Sequence, residues 1–248
     1  MSLRRPGRSL RRAAIGPAVC TAVVGLALSG CGLATDTLRP GLAAEVGDTD
    51  ISLDRVEERS SELCDMITFL SREGSASAVP GSVVRDNTLQ YTVLRELGDQ
   101  LGEEYGVEAG EIYRGALERN ESQLSELGVS SDVLDELVPM LSSGDYFLDI
   151  AQQIGQRELD LRPQEDTQQQ GMEEGLRIAR EWEAEHGIEV NPRFSDVSIG
   201  DLEEILKVET GSLSVPVSDF AKQASQGIDP ENPDTSYADS LPDSQRCG

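Results

Sequence analysis

The chain has 248 residues and a formal charge of −25, with 46 acidic residues against 21 lysines and arginines. Such a surface repels phosphates and does not release their counterions, which argues against nucleic acid as a partner. One histidine excludes every His-pair metal site, and 4% aromatics are too few for stacking platforms along sugars or single strands.

The first thirty residues hold Arg4, Arg5, Arg8, Arg11 and Arg12 and no acid, so the charge becomes −30 without them. An apolar run of about 16 residues, Ala13–Leu28, follows this basic start and falls short of the ~20 that a bilayer span needs. Charged start, short apolar core and small residues before a cut describe a secretory signal over residues 1–30. Its ending, Leu28-Ser29-Gly30-Cys31, resembles the bacterial lipobox, in which the cysteine is lipidated and opens the mature chain. The resemblance implies lipidation of Cys31, a tether over 31–42 and an extracytoplasmic site anchored to the membrane through acyl chains. Cys20 leaves with the signal. Cys64 and Cys247 then remain as a candidate disulfide pair, in a compartment where disulfides persist.

Behind the tether, Ala43–Ile51 reads as two short extended pieces around Gly47-Asp48, a pair suited to a tight hairpin. Ser52 is placed to cap a helix whose Leu53, Val56, Leu63, Cys64, Ile67 and Leu70 keep helical spacing. Residues 71–82 are rich in Ser, Gly and Ala and read as a loop. A second helix over 83–105 shows Leu89, Val93, Leu97, Leu101 and Tyr105 on one face and ends at Gly106. Ala109–Leu127 is a third helix. A segment capped by Ser130 or Ser131 carries Leu134, Leu137, Val138 and Leu141 and is broken near Pro139 and Gly144. Phe147, Ile150, Ala151, Ile154 and Leu161 continue at helical spacing. The last clear helix, 166–186, has the stripe Met172, Leu176, Ala179 and Trp182. Ile188–Phe194 then reads as a short strand ended by Pro192, and Leu213–Val217 as another extended piece. From 229 to 248 no apolar period survives, which predicts a disordered tail. The class is mainly α with a minor sheet.

Motifs for catalysis are missing: no phosphate loop, no dinucleotide fingerprint, no nucleophile elbow and no C-x-x-C. Asp48-Thr49-Asp50 starts like a calcium loop but lacks its glycine and closing glutamate. His186 stands at a helix C-terminus, where the dipole favours a cation. Nothing in the pattern calls for a cofactor or a metal.

The hairpin Ala43–Ser52 running into an amphipathic helix, Leu89–Gly106 continuing to Val107, and Trp182–Phe194 at the far end together resemble the N-terminal domain of SurA. PrsA-type foldases and the peptide-binding part of trigger factor share its outline. The resemblance covers about 43–107 and 182–194 and implies one helical module over 43–228, closed by pairing of the hairpin with a late strand at Ile188–Asn191. It implies binding of unfolded or extended polypeptide, with no parvulin isomerase domain because residues 108–181 read as helices. A peptide groove would be sought along Trp182, Phe147, Tyr146 and Leu89, Val93 and Leu97, and the acidic surface would favour basic clients. Two other classes stay open: an envelope enzyme, such as a prolyl isomerase or a hydrolase using His186, and a scaffold lipoprotein for one dedicated partner. Replacing Cys31 by serine is expected to release the protein from the membrane fraction and abolish uptake of labelled fatty acid. Equal membrane retention by the variant, with no label in the parent, would refute lipidation.

Overall fold

The hairpin that starts the folded part forms because Gly47 takes φ +53°, a left-handed conformation that L side chains rarely adopt. On either side of it stand Leu42–Val46 (β1) and Thr49–Ser52 (β2), antiparallel with Val46 opposite Thr49 and Ala44 opposite Ile51. A computed structural model describes residues 40–161, 165–194 and 236–248 of the chain. Residues 1–30, Cys31, most of the tether and Leu213–Val217 lie outside the described residues.

Ser52 leads into α1 (Leu53–Arg72), and its hydroxyl accepts from the Arg55 amide at 3.2 Å, satisfying one of the free donors of the first turn. A short strand, β3 (Val79–Pro80), precedes α2 (Gly81–Tyr105), which ends on Gly106 in the left-handed region. The next helices are α3 (Glu111–Glu126), α4 (Ser131–Leu141), α5 (Ser143–Glu158) and α6 (Glu165–His186). Pro139 is tolerated inside α4, and the break falls at Ser142, a fully buried residue whose hydroxyl accepts from the Asn120 side chain. After α6, β4 (Ile188–Val190) pairs antiparallel with β1, giving a three-stranded sheet of order β2-β1-β4. The described fold is therefore mainly helical with a minor sheet.

Two apolar clusters hold these elements. The first joins the sheet (Val46, Ile51) to the long middle of α2 (Leu89, Val93, Leu97, Leu101), to α5 (Phe147, Ile150, Ile154) and to α6 (Leu176, Ala179, Trp182). The second joins Leu63, Met66 and Leu70 of α1 to Val84 of α2, Val129 and the α4 residues Leu134, Leu137 and Val138. Between them, α2 is common to both. Remote polar groups close gaps between helices. The buried Asp149 of α5 accepts from the Gly110 amide at 2.7 Å and the Tyr113 amide at 3.0 Å, capping α3 from another helix.

The tail departs from the sequence expectation. Residues 236–248 form α7 (Ser236–Ser240), a 3-10 turn (Asp243–Gln245) and β5 (Arg246–Cys247), which pairs with β3. The reason is nonlocal. Cys247 is bonded to Cys64 of α1 across a sequence separation of 183 and lies 1% exposed in the second cluster. Closing a loop of that length stabilises the folded chain by up to about 5 kcal/mol on chain-entropy grounds. The Gly248 amide also donates to the Thr68 hydroxyl at 3.1 Å. No apolar period is needed when a covalent bond and a two-residue ladder do the anchoring.

Where α5 crosses α6, backbone meets backbone. A Cβ on Gly175 would overlap the Ala151 carbonyl, and one on Gly155 would overlap the Gly171 carbonyl. The pairs Ala151/Gly155 and Gly171/Gly175, each four apart, therefore form the contact. In an open helix Gly→Ala gains up to about 1 kcal/mol; here the backbones must part, at a cost of about 1–3 kcal/mol or more. Gly175→Ala is accordingly expected to lower stability by roughly 2 kcal/mol. Gly144→Ala, which meets nothing within 4 Å, should be neutral or stabilising. Denaturant unfolding of the two variants measures the contrast, and a stabilised Gly175→Ala would refute the tight crossing.

Candidate binding cleft

The residues expected to line a peptide groove do not line one. Phe147, Leu89, Val93 and Leu97 are 0% exposed, Trp182 is 5% and Tyr146 is 8%, all inside the first cluster. Their stripes on α2, α5 and α6 face one another and are consumed in packing. Trp182 is further fixed by donating its indole N–H to Glu104 at 2.8 Å and by stacking on His186, ring centroids 4.4 Å apart. His186 in turn shares its Nδ1 with the Trp182 carbonyl oxygen at 3.0 Å, so the one histidine is an element of the α6 terminus. The described residues contain no group of three or more His, Cys, Asp or Glu arranged to hold a metal. No described helix is long and apolar enough to cross a membrane.

Among the described residues, two open depressions are candidates. One, of about 630 Å³, lies beside the disulfide and is lined by hydroxyls of Ser60, Ser61, Ser82 and Ser244 with Arg85 and Glu57. Val84, Tyr237, Leu241 and the disulfide also line it, so its wall mixes polar and apolar groups. The other, of about 480 Å³, runs between the second half of α1 and the turn from α3 into α4. Its bed is Met66, Phe69, Val129, Val133 and Leu137, and its rim is Glu62, Asp65, Asp132 and Glu136. Phe69 is 38% exposed, one of three large apolar side chains among the described residues that solvent reaches to this extent.

Local sequence explains how the cleft is shaped. At the end of α3, Gly128 takes φ +84° and its amide donates to the Ser125 carbonyl, while the Val129 amide donates to that of Leu124. That pair of bonds is the Schellman arrangement; it turns the chain and drops Val129 against the second cluster. The ring tip of Phe69 sits 3.7 Å from where a Gly128 Cβ would be, an ordinary contact distance. On α1, Glu62, Asp65, Met66 and Phe69 recur at three and four residues and share one face. Arg59 bridges the end of the cleft, its guanidinium 2.7 Å from Glu62 and 3.2 Å from Glu136 of α4. Sequence reasoning missed Phe69, Val129 and Val133. The available signal was an aromatic placed off the apolar stripe of α1, among acids.

A polar cluster on α2 completes the survey. Tyr146 donates its hydroxyl to Asp99 at 2.6 Å, Arg95 lies 3.8 Å from the Tyr146 ring centroid, and Arg95 donates to the Tyr113 oxygen at 3.0 Å. It is knitted from groups that satisfy one another, and it joins α2, α3 and α5. Compared with known proteins, the chain has no significant match to a family model, a curated protein or a solved structure.

Burial, and next the hydrogen bond to Asp99, push the Tyr146 phenol well above the ordinary phenol value of 10.0. Burial raises Tyr91 likewise. A phenol whose folded pKa exceeds its unfolded one stabilises the fold fully below pH ~10 and loses that contribution as pH rises beyond it. Alkaline titration by phenolate absorbance should therefore show Tyr146 and Tyr91 ionising late, together with unfolding. Ionisation of all five tyrosines near pH ~10 with the fold intact would contradict it.

Proposed function

We propose that the protein is a lipid-anchored, extracytoplasmic binding protein for unfolded or extended polypeptide, acting as a holdase without a covalent step. One observation carries the reading: an apolar cleft of about 480 Å³, opening to solvent on the second cluster and led by a 38% exposed phenylalanine. A single exposed aromatic is ordinary, but here Phe69 is continuous with Met66, Val129, Val133 and Leu137, and contiguous apolar surface left open on a chain is what marks a binding site. The closing of a helical module by β1 and β4 supports the kinship with SurA-type domains, in which early and late segments meet in one sheet. The lipobox ending at Cys31 supports the anchor. The described residues of 108–181 are mostly helical, in keeping with a module that carries no parvulin isomerase.

A holdase acts by binding unfolded chains in preference to folded ones, which lowers the concentration free to aggregate. The function therefore needs a wettable apolar surface and charge that keeps complexes apart. Both are present. The protein is expected to slow aggregation of several denatured test proteins at near-stoichiometric ratios, followed by light scattering. Failure with every client, with one tight partner recovered instead, would favour a dedicated scaffold. Acceleration of prolyl cis/trans exchange in a peptide would favour the enzyme.

A further inference from the structure

We infer that the cleft between α1 and α4 takes a peptide segment in which an apolar side chain stands between arginines or lysines; this rests on the polypeptide-binding reading above. Size comes first. About 480 Å³ lies within the range of ~300–1,000 Å³ typical of ligand pockets and suits one or two large side chains, whereas a folded surface needs a broader footprint. The bed is apolar, with Phe69 from α1 opposite Val129 of the α3–α4 turn and Val133 of α4.

Charge then selects the occupant. Four carboxylates stand on the rim and no lysine or arginine is among the described lining residues. Arg59 offsets only Glu62 and Glu136, to which it is bonded at 2.7 and 3.2 Å. Asp65 and Asp132 stand on opposite walls, both exposed, with no ion pair among the described residues. A peptide cation on either side of a buried apolar side chain would reach them. Each such exposed pair contributes up to about fivefold in affinity at low salt, and a glutamate in the same place would meet a like charge. The same rim argues against a second copy of this chain as occupant, since a copy brings a formal charge of −25.

The test uses the intact chain and three dansyl-labelled peptides of equal length. Each holds a central Phe-Leu, flanked in turn by Arg and Lys, by Gln, or by Glu; binding is read by anisotropy at low and physiological salt. The basic peptide is expected to bind roughly tenfold or more tighter than the acidic one at low salt, with the difference shrinking as salt rises. Changing Asp65→Asn together with Asp132→Asn should bring the basic peptide near the affinity of the Gln peptide and leave the latter unchanged. Phe69→Ala should weaken all three. Asp65 and Asp132 are exposed, so thermal unfolding of the double Asn variant should match the parent; Phe69→Ala, which removes a partly buried ring, is compared at a temperature where its own unfolding curve shows it folded. Equal binding of all three peptides, or a preference that survives both sets of changes, would overturn the inference while leaving polypeptide binding in place. Self-association abolished by Phe69→Ala would overturn it in favour of a second copy. No binding of any peptide, together with no suppression of aggregation, would remove both readings.

Discussion

Helices α5 and α6 approach until the backbone of Gly175 lies on the carbonyl of Ala151 and that of Gly171 on Gly155, and most of the first cluster depends on that approach. Had either helix carried a side chain there, α6 would stand farther out. Trp182 would then lose Glu104 and the hairpin tip, where the indole sits 3.0 Å from the site of a Gly47 Cβ. The same tip is held by Gln100 of α2, whose amide donates to the Val46 carbonyl at 2.8 Å, and by the Gly47 amide donating to the Gly187 carbonyl at 3.1 Å. A two-stranded hairpin is marginal alone. Docked on α2 and α6 and joined by β4, it becomes the lid of the core.

The second cluster is built on another logic. Its helices, α1, α3 and α4, are held less by a close crossing than by side chains meeting over Leu63, Met66, Leu134 and Leu137, with Cys247 brought in covalently. Here exposure is tolerated, because Leu137 and Met66 remain 1% and 8% exposed while Phe69, at the edge, is 38% exposed. With 38% of Phe69 exposed, covering the rest of the ring would gain roughly 0.5–1 kcal/mol.

How much of this could be read from the chain varies with the range of the interaction. The hairpin at Gly47-Asp48, the cap at Ser52, the left-handed stop at Gly106 and the strand after Gly187 are local signals, and each occurs at the place the residues indicate. The groove did not follow from the stripes of α2 and α6, since helical periodicity marks a face that needs cover without saying what covers it. Leu89, Leu97 and Trp182 find their cover in this same chain. The tail was illegible because it is anchored by Cys247 and two ladder residues, an interaction 183 residues long with no local period. The α5–α6 contact was in principle visible as Gly171 and Gly175 spaced by four, a pattern that lets backbones touch.

The covalent strap and the cleft meet on α1. Cys64, Thr68 and Ser71 occupy the side of the helix that faces β5: Cys64 through its bond, Thr68 through the Gly248 amide and Ser71 through close contact with Gly248. Glu62, Asp65, Met66 and Phe69 occupy the side that opens on the cleft. One helix is thus pinned from behind by a covalent strap while its other side opens on the cleft. If the cleft binds peptide as proposed, a wall fixed in this way would lose little conformational freedom, and the entropy cost of ordering would fall mainly on the peptide.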